Sequence, residues 1–276
     1  DIDTNESWLD YADVRDYSSI SHSIEEFQPH IIINLAALTD LEECEENKEN
    51  AWLTNGLGAE NIVLIASKLN ATLIHISTAG IFDGKKEYYS DFEIPNPMGT
   101  YAKSKHYAEI IVSRELKKYY VFRAGWMMGG GPRKDKKFIN KIFQQICQGN
   151  NELNVVDDKL GTPTYTVDFV RGIQTLVKSD LYGIYNQVCG GSGSRYDVAV
   201  EFVKLMGLKD KIQINKVSSE FFKEEYFAPR PKSEKLLNSK LDARRLNVMR
   251  DWKVCLREYV KYFKDDYYGE FRGNVV

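Results

Sequence analysis

TLIHIS at residues 72–77, a helical stretch at 99–118 and YYVFRAG at 119–125 decide the fold of this chain. The two short runs are apolar and rich in β-branched residues without regular polar alternation, a pattern typical of strands buried on both faces. The stretch between them is long enough for a helix that brings the chain back to start a parallel strand. This strand-helix-strand unit predicts a parallel sheet covered by helices.

The same alternation continues on both sides of this unit. Its order predicts an α/β fold with a doubly wound parallel sheet of Rossmann type. The other predicted elements are strands at 31–37, 153–156 and 183–188 and helices at 48–69, near 135–149 and near 166–178.

Residues 191–276 depart from this pattern because they are charged, aromatic and less periodic. We predict a nucleotide-cofactor-binding domain over 1–190 and a small, mainly C-terminal substrate-binding lobe over 191–276. Such a lobe would lie over the carboxyl ends of the strands, where ligands bind in sheets of this kind. Its short helices are predicted near 195–207, 218–225, 239–246 and 253–264.

Composition limits the partners and the compartment. A net charge of −3 over 276 residues argues against nucleic acid as the main partner. No run of 18 apolar residues and no signal peptide are visible, so we expect no membrane partner and a cytoplasmic location. Scattered cysteines without paired spacing predict free thiols rather than a disulfide framework or a metal site; they are Cys44, Cys147, Cys189 and Cys255.

The glycine-rich turn that follows the first strand of a dinucleotide-binding fold is not found at the start of this sequence. The glycine-rich runs are at 129–131 and 190–193 instead. We expect that one strand-helix unit and the next strand, roughly 25–35 residues, precede Asp1. The alternative is a natural variant that has lost cofactor binding.

Tyr101 and Lys105 are the candidate catalytic pair, because residues four apart lie on one face of a helix, about one turn from each other. A phenol with a pKa near 10 needs its anion stabilised before it exchanges protons readily at neutral pH, and an ammonium group can do this. Thr78, at the end of a predicted strand, adds a hydroxyl that can hold a carbonyl oxygen against the phenol. The three side chains suit proton transfer at an oxygen while a hydride moves at the neighbouring carbon.

Many further motifs follow in a defined order along the chain. With them, the chain resembles the extended short-chain dehydrogenase/reductase superfamily and, within it, the dTDP-4-dehydrorhamnose reductase branch, from Asp1 to about residue 263. The motifs include Asn34-Leu-Ala-Ala37, His75-Ile-Ser-Thr78, Tyr101-Ala-Lys-Ser-Lys105, Val155-Val-Asp-Asp158, Gly161-Thr-Pro163-Thr164 and Arg230-Pro-Lys-Ser233.

The resemblance implies an oxidoreductase of dTDP-rhamnose biosynthesis type, with reduced NADP or NAD as hydride donor and a nucleotide-diphosphate sugar as substrate. Hydride would go to C4 of a 4-keto-6-deoxy sugar, and Tyr101 would donate the proton to the C4 oxygen. Thr78 would hydrogen-bond that oxygen, while Lys105 would lower the pKa of Tyr101 and bind the nicotinamide ribose. The family pattern also suggests a homodimer.

The resemblance assigns further binding residues. Cofactor contacts are implied for Asp13, Val14, Leu35, Ala36, Ala37 and Asn55, together with Tyr101 and Lys105. Substrate contacts are implied for Thr39, Ser77, Ala79, Trp126, Arg230 and Ser233. The candidates for the positive charge that would hold the nucleotide diphosphate are Arg133, Lys134 and Arg230.

The chain also departs from the family. Ala79-Gly80 stands where the reductases carry Asp-Tyr, which predicts a roomier, less polar pocket and allows a different sugar or carrier.

An acid near Asp1 to Asp3 would favour NAD over NADP, and the choice stays open. His75 and His106 are interpreted as structural histidines rather than bases. An epimerase or dehydratase of the same superfamily and a non-catalytic binding or regulatory homologue remain alternatives.

Overall fold

A four-stranded parallel sheet lies at the centre of the protein, in the order β1-β2-β3-β8. The computed structural model describes residues 12–273, with side chains as far as residue 268, so Asp1 to Asp3 lie outside the described residues. The sheet confirms the predicted α/β fold. Its strands are β1 (Ile31–Asn34), β2 (Thr72–Thr78), β3 (Tyr119–Ala124) and β8 (Gly183–Asn186).

Helices cover both faces of the sheet. On one face, α1, α4 and α5 bury an aliphatic cluster that includes Ile65, Leu73 and Val112. On the other, α8 and α10 bury a more aromatic cluster that includes Phe122 and Phe169. The helices are α1 (Tyr17–Phe27), α2 (Leu41–Glu46), α3 (Lys48–Ala51), α4 (Gly58–Leu69), α5 (Thr100–Glu115), α6 (Gly131–Lys134), α7 (Phe138–Cys147), α8 (Thr166–Val177), α9 (Arg195–Met206), α10 (Ser239–Ala243) and α11 (Trp252–Gly273).

Short strands outside the central sheet tie the later part of the chain together. β5 pairs with β10, β4 with β7, and β6 lies between β11 and β9. Side chains from α7, α9 and α11 share one buried cluster around Phe202 and Phe263. The added strands are β4 (Trp126–Met128), β5 (Glu152–Val156), β6 (Leu160–Gly161), β7 (Pro163–Tyr165), β9 (Gly193–Ser194), β10 (Gln213–Val217) and β11 (Ser233–Glu234).

Several predicted boundaries are wrong, for local reasons. The strand predicted at 31–37 ends at Asn34, because the Asn34 side chain accepts a hydrogen bond from Ala36 N at 3.1 Å and turns the chain out of the sheet. The strand predicted at 119–125 ends before Gly125, where a Cβ would lie 2.2 Å from Thr162 O. The glycine therefore permits the close backbone crossing at which β4 begins.

Helix predictions differ from the structure in length and type. The helix predicted at 48–69 contains a π-helical turn, Trp52–Leu57, between α3 and α4. The one predicted near 135–149 is the shorter α7, Phe138–Cys147, and that at 218–225 is a 3₁₀ turn, Ser219–Phe222. No helix within residues 12–273 is both long and apolar enough to cross a membrane.

Candidate active site

The three predicted catalytic side chains come from β2 and α5, which pack against each other. Thr78 is the last residue of β2, and its hydroxyl accepts a hydrogen bond from Gly80 N at 3.1 Å. Tyr101, in the first turn of α5, lies next to the Thr78 side chain, which acts on the pKa of its phenol. Lys105 follows one turn later and is only 3 % exposed. The structure therefore brings a phenol of α5 to a hydroxyl of β2 that is distant in sequence, with the Lys105 amine one turn further along the same helix.

The ionisation of Tyr101 differs in direction from the one expected. Burial raises the pKa of Tyr101 to about 12, and the neighbouring Thr78 side chain only partly opposes this. Desolvation penalises the phenolate, so the phenol stays protonated at neutral pH. In this structure Tyr101 is thus a proton donor held against Thr78.

The Lys105 amine contacts a histidine of β2. Lys105 Nζ lies 3.3 Å from His75 Nε2, and both side chains are buried. Burial lowers the pKa of Lys105 to about 8, while Glu109 opposes the shift. Glu109 is itself bound to Arg123 at 2.7 Å, which limits its pull on the amine. Lys105 is therefore able to change its protonation state near neutral pH.

The loop after β1 is fixed by an amide from the π-helical turn. Asn55 Oδ1 accepts from Leu38 N at 2.8 Å, and Asn55 Nδ2 donates to Leu38 O at 3.0 Å and to Ser104 Oγ at 3.2 Å. Leu35 and Ala36 are exposed on this loop, next to the carboxyl end of the sheet. The small Ala36 and Ala37 leave space for a flat ligand there. The cofactor roles of these residues stay predictions.

Asp13 and Val14 lie on the segment before α1. The Asp13 carboxylate binds the Arg15 guanidinium at 2.6 Å. Val14 packs so closely on Gly58, at the start of α4, that a Cβ on the glycine would lie 2.6 Å from Val14 Cγ2. The contact of this pair with adenine stays a prediction.

Thr39 and Trp126 lie among cations. Thr39 Oγ1 accepts from Lys137 Nζ at 3.0 Å, and the Arg195 guanidinium lies 3.7 Å from the centre of the Trp126 ring. The charges of Lys141 and Arg195 act on Lys137, and the charge of Arg230 acts on Arg195. We call Lys137, Lys141, Arg195 and Arg230 the cation cluster.

The cation cluster was only partly predicted. Arg230 was expected to carry diphosphate charge, but its companions were expected on α6, at Arg133 and Lys134. Lys137 ends the basic run 133–137 and Lys141 follows it by one helical turn, whereas Arg195 is distant in sequence and was not predicted. The chain folds them to one place through α7 and the start of α9.

Arg230 and Ser233 both form hydrogen bonds with other residues of the protein. Arg230 Nη1 and Nη2 bind the two oxygens of Glu42 at 2.6 and 2.7 Å, and the guanidinium lies 5.3 Å from the centre of the Tyr226 ring. Ser233, 4 % exposed, donates its hydroxyl proton to Glu87 O at 2.8 Å. Their contacts with a substrate stay predictions.

Ser77 and Ala79 flank Thr78 but are buried. Ser77 is 4 % exposed, and within residues 12–273 its hydroxyl has no hydrogen-bond partner. Ala79 is 1 % exposed and belongs to an apolar cluster with Ile81 and Phe82. Direct substrate contact by Ala79 therefore requires this cluster to open.

Glu234 is a site residue that the sequence did not reveal. Its Oε2 accepts from Trp126 Nε1 at 2.7 Å. A Cβ on Gly80 would lie 3.3 Å from Glu234 Oε1 and 3.4 Å from Thr78 Oγ1, so both oxygens border the space that the glycine leaves open. The negative charge of Glu234 also contributes to raising the pKa of Tyr101. Its position next to the quoted 230–233 motif was the only available signal.

Comparisons with known proteins fit this geometry. The model of a family described as RmlD substrate binding domain matches residues 4–264. The spore coat polysaccharide biosynthesis protein SpsK of Bacillus subtilis is 30 % identical over 249 residues, which cover 90 % of this chain and 84 % of the relative.

Two solved structures are similar throughout. The dTDP-4-dehydrorhamnose reductase of Yersinia enterocolitica superposes with a TM-score of 0.84 and 32 % identity, covering 94 % of this chain and 89 % of that one. The dTDP-4-dehydrorhamnose reductase of Bacillus anthracis, solved in complex with NADP, has a TM-score of 0.82 and 29 % identity, covering 90 % and 85 %.

Proposed function

The chain belongs to the RmlD substrate-binding domain family, and from that premise we propose that it is an NAD(P)H-dependent reductase of a nucleotide-linked 4-keto-6-deoxy sugar. The observation that carries the proposal is the position of the Tyr101 phenol next to the Thr78 side chain, with Lys105 one turn along α5. Relatives named as dTDP-4-dehydrorhamnose reductases support the substrate class.

The chain's own groups account for the proton half of such a reaction. The Tyr101 phenol, protonated at neutral pH because its pKa is raised, donates to the C4 oxygen as charge develops there. The Thr78 hydroxyl fixes that oxygen and stabilises its charge. The reduced nicotinamide, when bound, supplies the hydride. The exposed loop Leu35–Ala37, fixed by Asn55, and the Lys105 amine are the groups that would hold it.

The cation cluster supports a diphosphate as the part of the substrate that anchors it. Burial lowers the pKa of Arg195 to about 10, so its charge lacks full compensation from the protein. An anion would restore that compensation, and guanidinium and ammonium groups are suited to phosphate. Glu234 and Trp126, between this cluster and Thr78, would then face the sugar.

We also propose a cytoplasmic homodimer with a cofactor domain over 1–190 and a substrate lobe over 191–276. Free thiols at Cys44, Cys189 and Cys255 support a reducing compartment. Exposed apolar residues on the outer faces of α4 and α5, among them Leu64 and Ile110, support a dimer surface. Pairing of β5 with β10 means that residues before 190 also contribute to the lobe.

The test is an assay of NADH or NADPH oxidation with dTDP-4-keto-6-deoxy sugars and other nucleotide carriers. We expect stoichiometric cofactor consumption and a 4-hydroxy product. Absence of turnover with every ketone, although the protein binds the cofactor, would overturn the reductase assignment.

A second candidate, an epimerase or dehydratase, is favoured by the carboxylate of Glu234 beside Thr78. Such enzymes return the hydride to the substrate and keep the cofactor bound. Purified protein that carries tightly bound NAD and converts sugar without net cofactor consumption would select this candidate.

A further inference from the structure

A buried chain of hydrogen bonds leads from the loop after β1 to the Lys105 amine. Ala36 N donates to Asn34 Oδ1 at 3.1 Å, Asn34 Nδ2 lies 3.3 Å from His75 Nδ1, and His75 Nε2 lies 3.3 Å from Lys105 Nζ. The exposures of Asn34, His75 and Lys105 are 6 %, 1 % and 3 %. Because bulk water hardly reaches these side chains, they must satisfy one another.

The direction of every bond in this chain follows from its first donor. A backbone N–H can only donate, so the Ala36 amide requires the carbonyl oxygen of Asn34 on its side. The amide nitrogen of Asn34 then donates to His75 Nδ1, which must be unprotonated. A neutral imidazole with a free Nδ1 carries its proton on Nε2, facing Lys105.

Lys105 can accept a hydrogen bond from the Nε2–H group of His75 only in its unprotonated form. An ammonium group has three donors and no lone pair, so it would face the Nε2–H of His75 donor to donor. A neutral amine has the lone pair that is needed. The hydrogen-bond chain is therefore complete when Lys105 is unprotonated, and one bond is lost when the lysine carries its charge.

We propose that His75 is a positioning residue that donates its Nε2 proton to the neutral Lys105 amine and so stabilises the unprotonated form of the lysine behind Tyr101. The directions of these hydrogen bonds follow from the contacts among Ala36, Asn34, His75 and Lys105 and do not depend on the proposed function. Its part in turnover rests on the proposed function.

Neighbouring groups agree with this arrangement. Burial lowers the pKa of Lys105 to about 8, and burial together with the Lys105 charge lowers the pKa of His75, so the imidazole stays neutral. From α5, Glu109 raises the pKa of Lys105, but Arg123 of β3 holds that carboxylate. Tyr101, on the same helix, stays neutral because its own pKa is raised.

The arrangement gives Lys105 a defined task in ketone reduction. Once Tyr101 has given its proton to the substrate oxygen, the phenolate must be reprotonated. The Lys105 ammonium supplies that proton, so an O–H bond forms on Tyr101 as an N–H bond breaks on the lysine. His75 stabilises the amine that remains, and solvent returns the proton to Lys105 before the next turnover.

Nitrogen NMR of ¹⁵N-histidine-labelled protein reads the tautomer without any turnover. The chain has four histidines, so the spectrum is simple, and His75→Gln identifies the His75 signals. We expect a neutral ring with a proton on Nε2 and an unprotonated Nδ1 throughout the pH range of the folded protein. A proton on Nδ1, or a cationic His75 at neutral pH, would overturn the proposal.

Asn34→Asp tests the link between the tautomer and the lysine. A carboxylate still accepts from Ala36 N, but it cannot donate to His75 Nδ1, so the proton should move to Nδ1 and free Nε2 to accept from an ammonium group. We expect the two ring-nitrogen signals to exchange. In a plot of kcat/KM against pH, the basic limb is the fall in activity as Lys105 loses its proton. The midpoint of this fall should move from near pH 8 towards the ordinary lysine pKa of 10.5.

His75→Gln should move the same limb upward, because its amide oxygen can face the ammonium. His106→Gln is the matched control, since this partly buried histidine of α5 lies outside the hydrogen-bond chain. A basic limb that stays in place in Asn34→Asp after the tautomer has switched would contradict the role of His75. A wild-type protein that reduces no ketone removes the role in turnover together with the proposed function, while the NMR result still decides the hydrogen-bond direction.

Discussion

At the scale of single residues, burial rather than charge sets the chemistry of Tyr101. A lysine one turn away suggested a lowered pKa for the phenol, yet desolvation raises it and Lys105 contacts His75 instead. The site thus holds a protonated donor, which suits reduction of a ketone better than oxidation of an alcohol at neutral pH. The reverse reaction would need the phenolate and should be favoured only at high pH.

Tyr101→Phe removes the proton donor and leaves the packing of the ring almost unchanged. We expect turnover to fall by about 10²-fold or more, the usual contribution of general acid catalysis. Cofactor affinity, measured by nicotinamide fluorescence, should change little. Turnover close to that of the wild type would exclude Tyr101 as the proton donor.

At the scale of secondary-structure elements, irregular turns hold the site in place. The π-helical turn Trp52–Leu57 directs Asn55 toward both backbone groups of Leu38, and so fixes the loop after β1 against α5. π-Helical turns cost regular hydrogen bonding and often occur at functional sites. The periodicity of residues 48–69 indicated one helix and gave no sign of this turn.

Asn55→Ala should leave the N–H and C=O groups of Leu38 without their partner. We expect a loss of about 1–3 kcal/mol in the free energy of unfolding, together with weaker NAD(P)H binding because the loop loses its anchor. Denaturant unfolding and cofactor titration measure the two effects. Asn140→Ala is the control, since this amide also holds a loop, through Pro132 O and Asp135 O. Equal cofactor affinity in both variants would contradict the anchoring role.

A buried carboxylate joins α8 to the segment before α11. Asp168, 0 % exposed, binds Arg250 at 2.7 Å, and Arg171 reaches the same carboxylate at 3.2 Å from an exposed position. Arg250→Ala should cost about 3 kcal/mol of unfolding free energy, because the carboxylate loses its main partner in the interior. Arg171→Ala should cost much less, since an exposed ion pair contributes little.

The ion pair between Asp168 and Arg250 makes the free energy of unfolding fall as the pH becomes acidic. The pKa of Asp168 is lowered, mainly by its bonds to Arg250, so the unfolded state binds the proton more tightly. The stabilisation is complete above the unfolded pKa of about 3.9 and is lost as pH falls through the lower, folded value. Unfolding measured from pH 7 to 3 should show this loss in the wild type and a smaller one in Arg250→Ala.

At the scale of the whole molecule, the site is assembled from distant parts of the chain. Glu42 of α2 and Arg230, in the segment before β11, form a two-pronged ion pair that joins these distant parts of the chain. This pair lowers the pKa of Glu42 even though burial opposes it. This link between α2 and the segment before β11 is therefore held by charge, and it should respond to the loss of either partner.

Arg230→Lys keeps the charge but loses the paired geometry of the guanidinium. We expect KM for the nucleotide sugar to rise by about tenfold, as for the loss of one charged hydrogen bond, with kcat and cofactor affinity little changed. Glu42→Gln should give a smaller rise, because its amide oxygen still accepts from Arg230. An unchanged KM in Arg230→Lys would show that the ion pair does not shape the substrate cleft.

The sequence alone determined the parallel sheet and the pair Tyr101–Lys105, because strand burial and helical spacing are local properties that a pattern records. It did not reveal Glu234 beside Thr78, the place of Arg195 in the cation cluster or the contact between His75 and Lys105. Those depend on which strands pair and how loops close over the sheet, so they join residues whose separation carries no periodic signal. Tertiary packing also reversed the expected pKa shift of Tyr101, because desolvation exists only once the fold has excluded water.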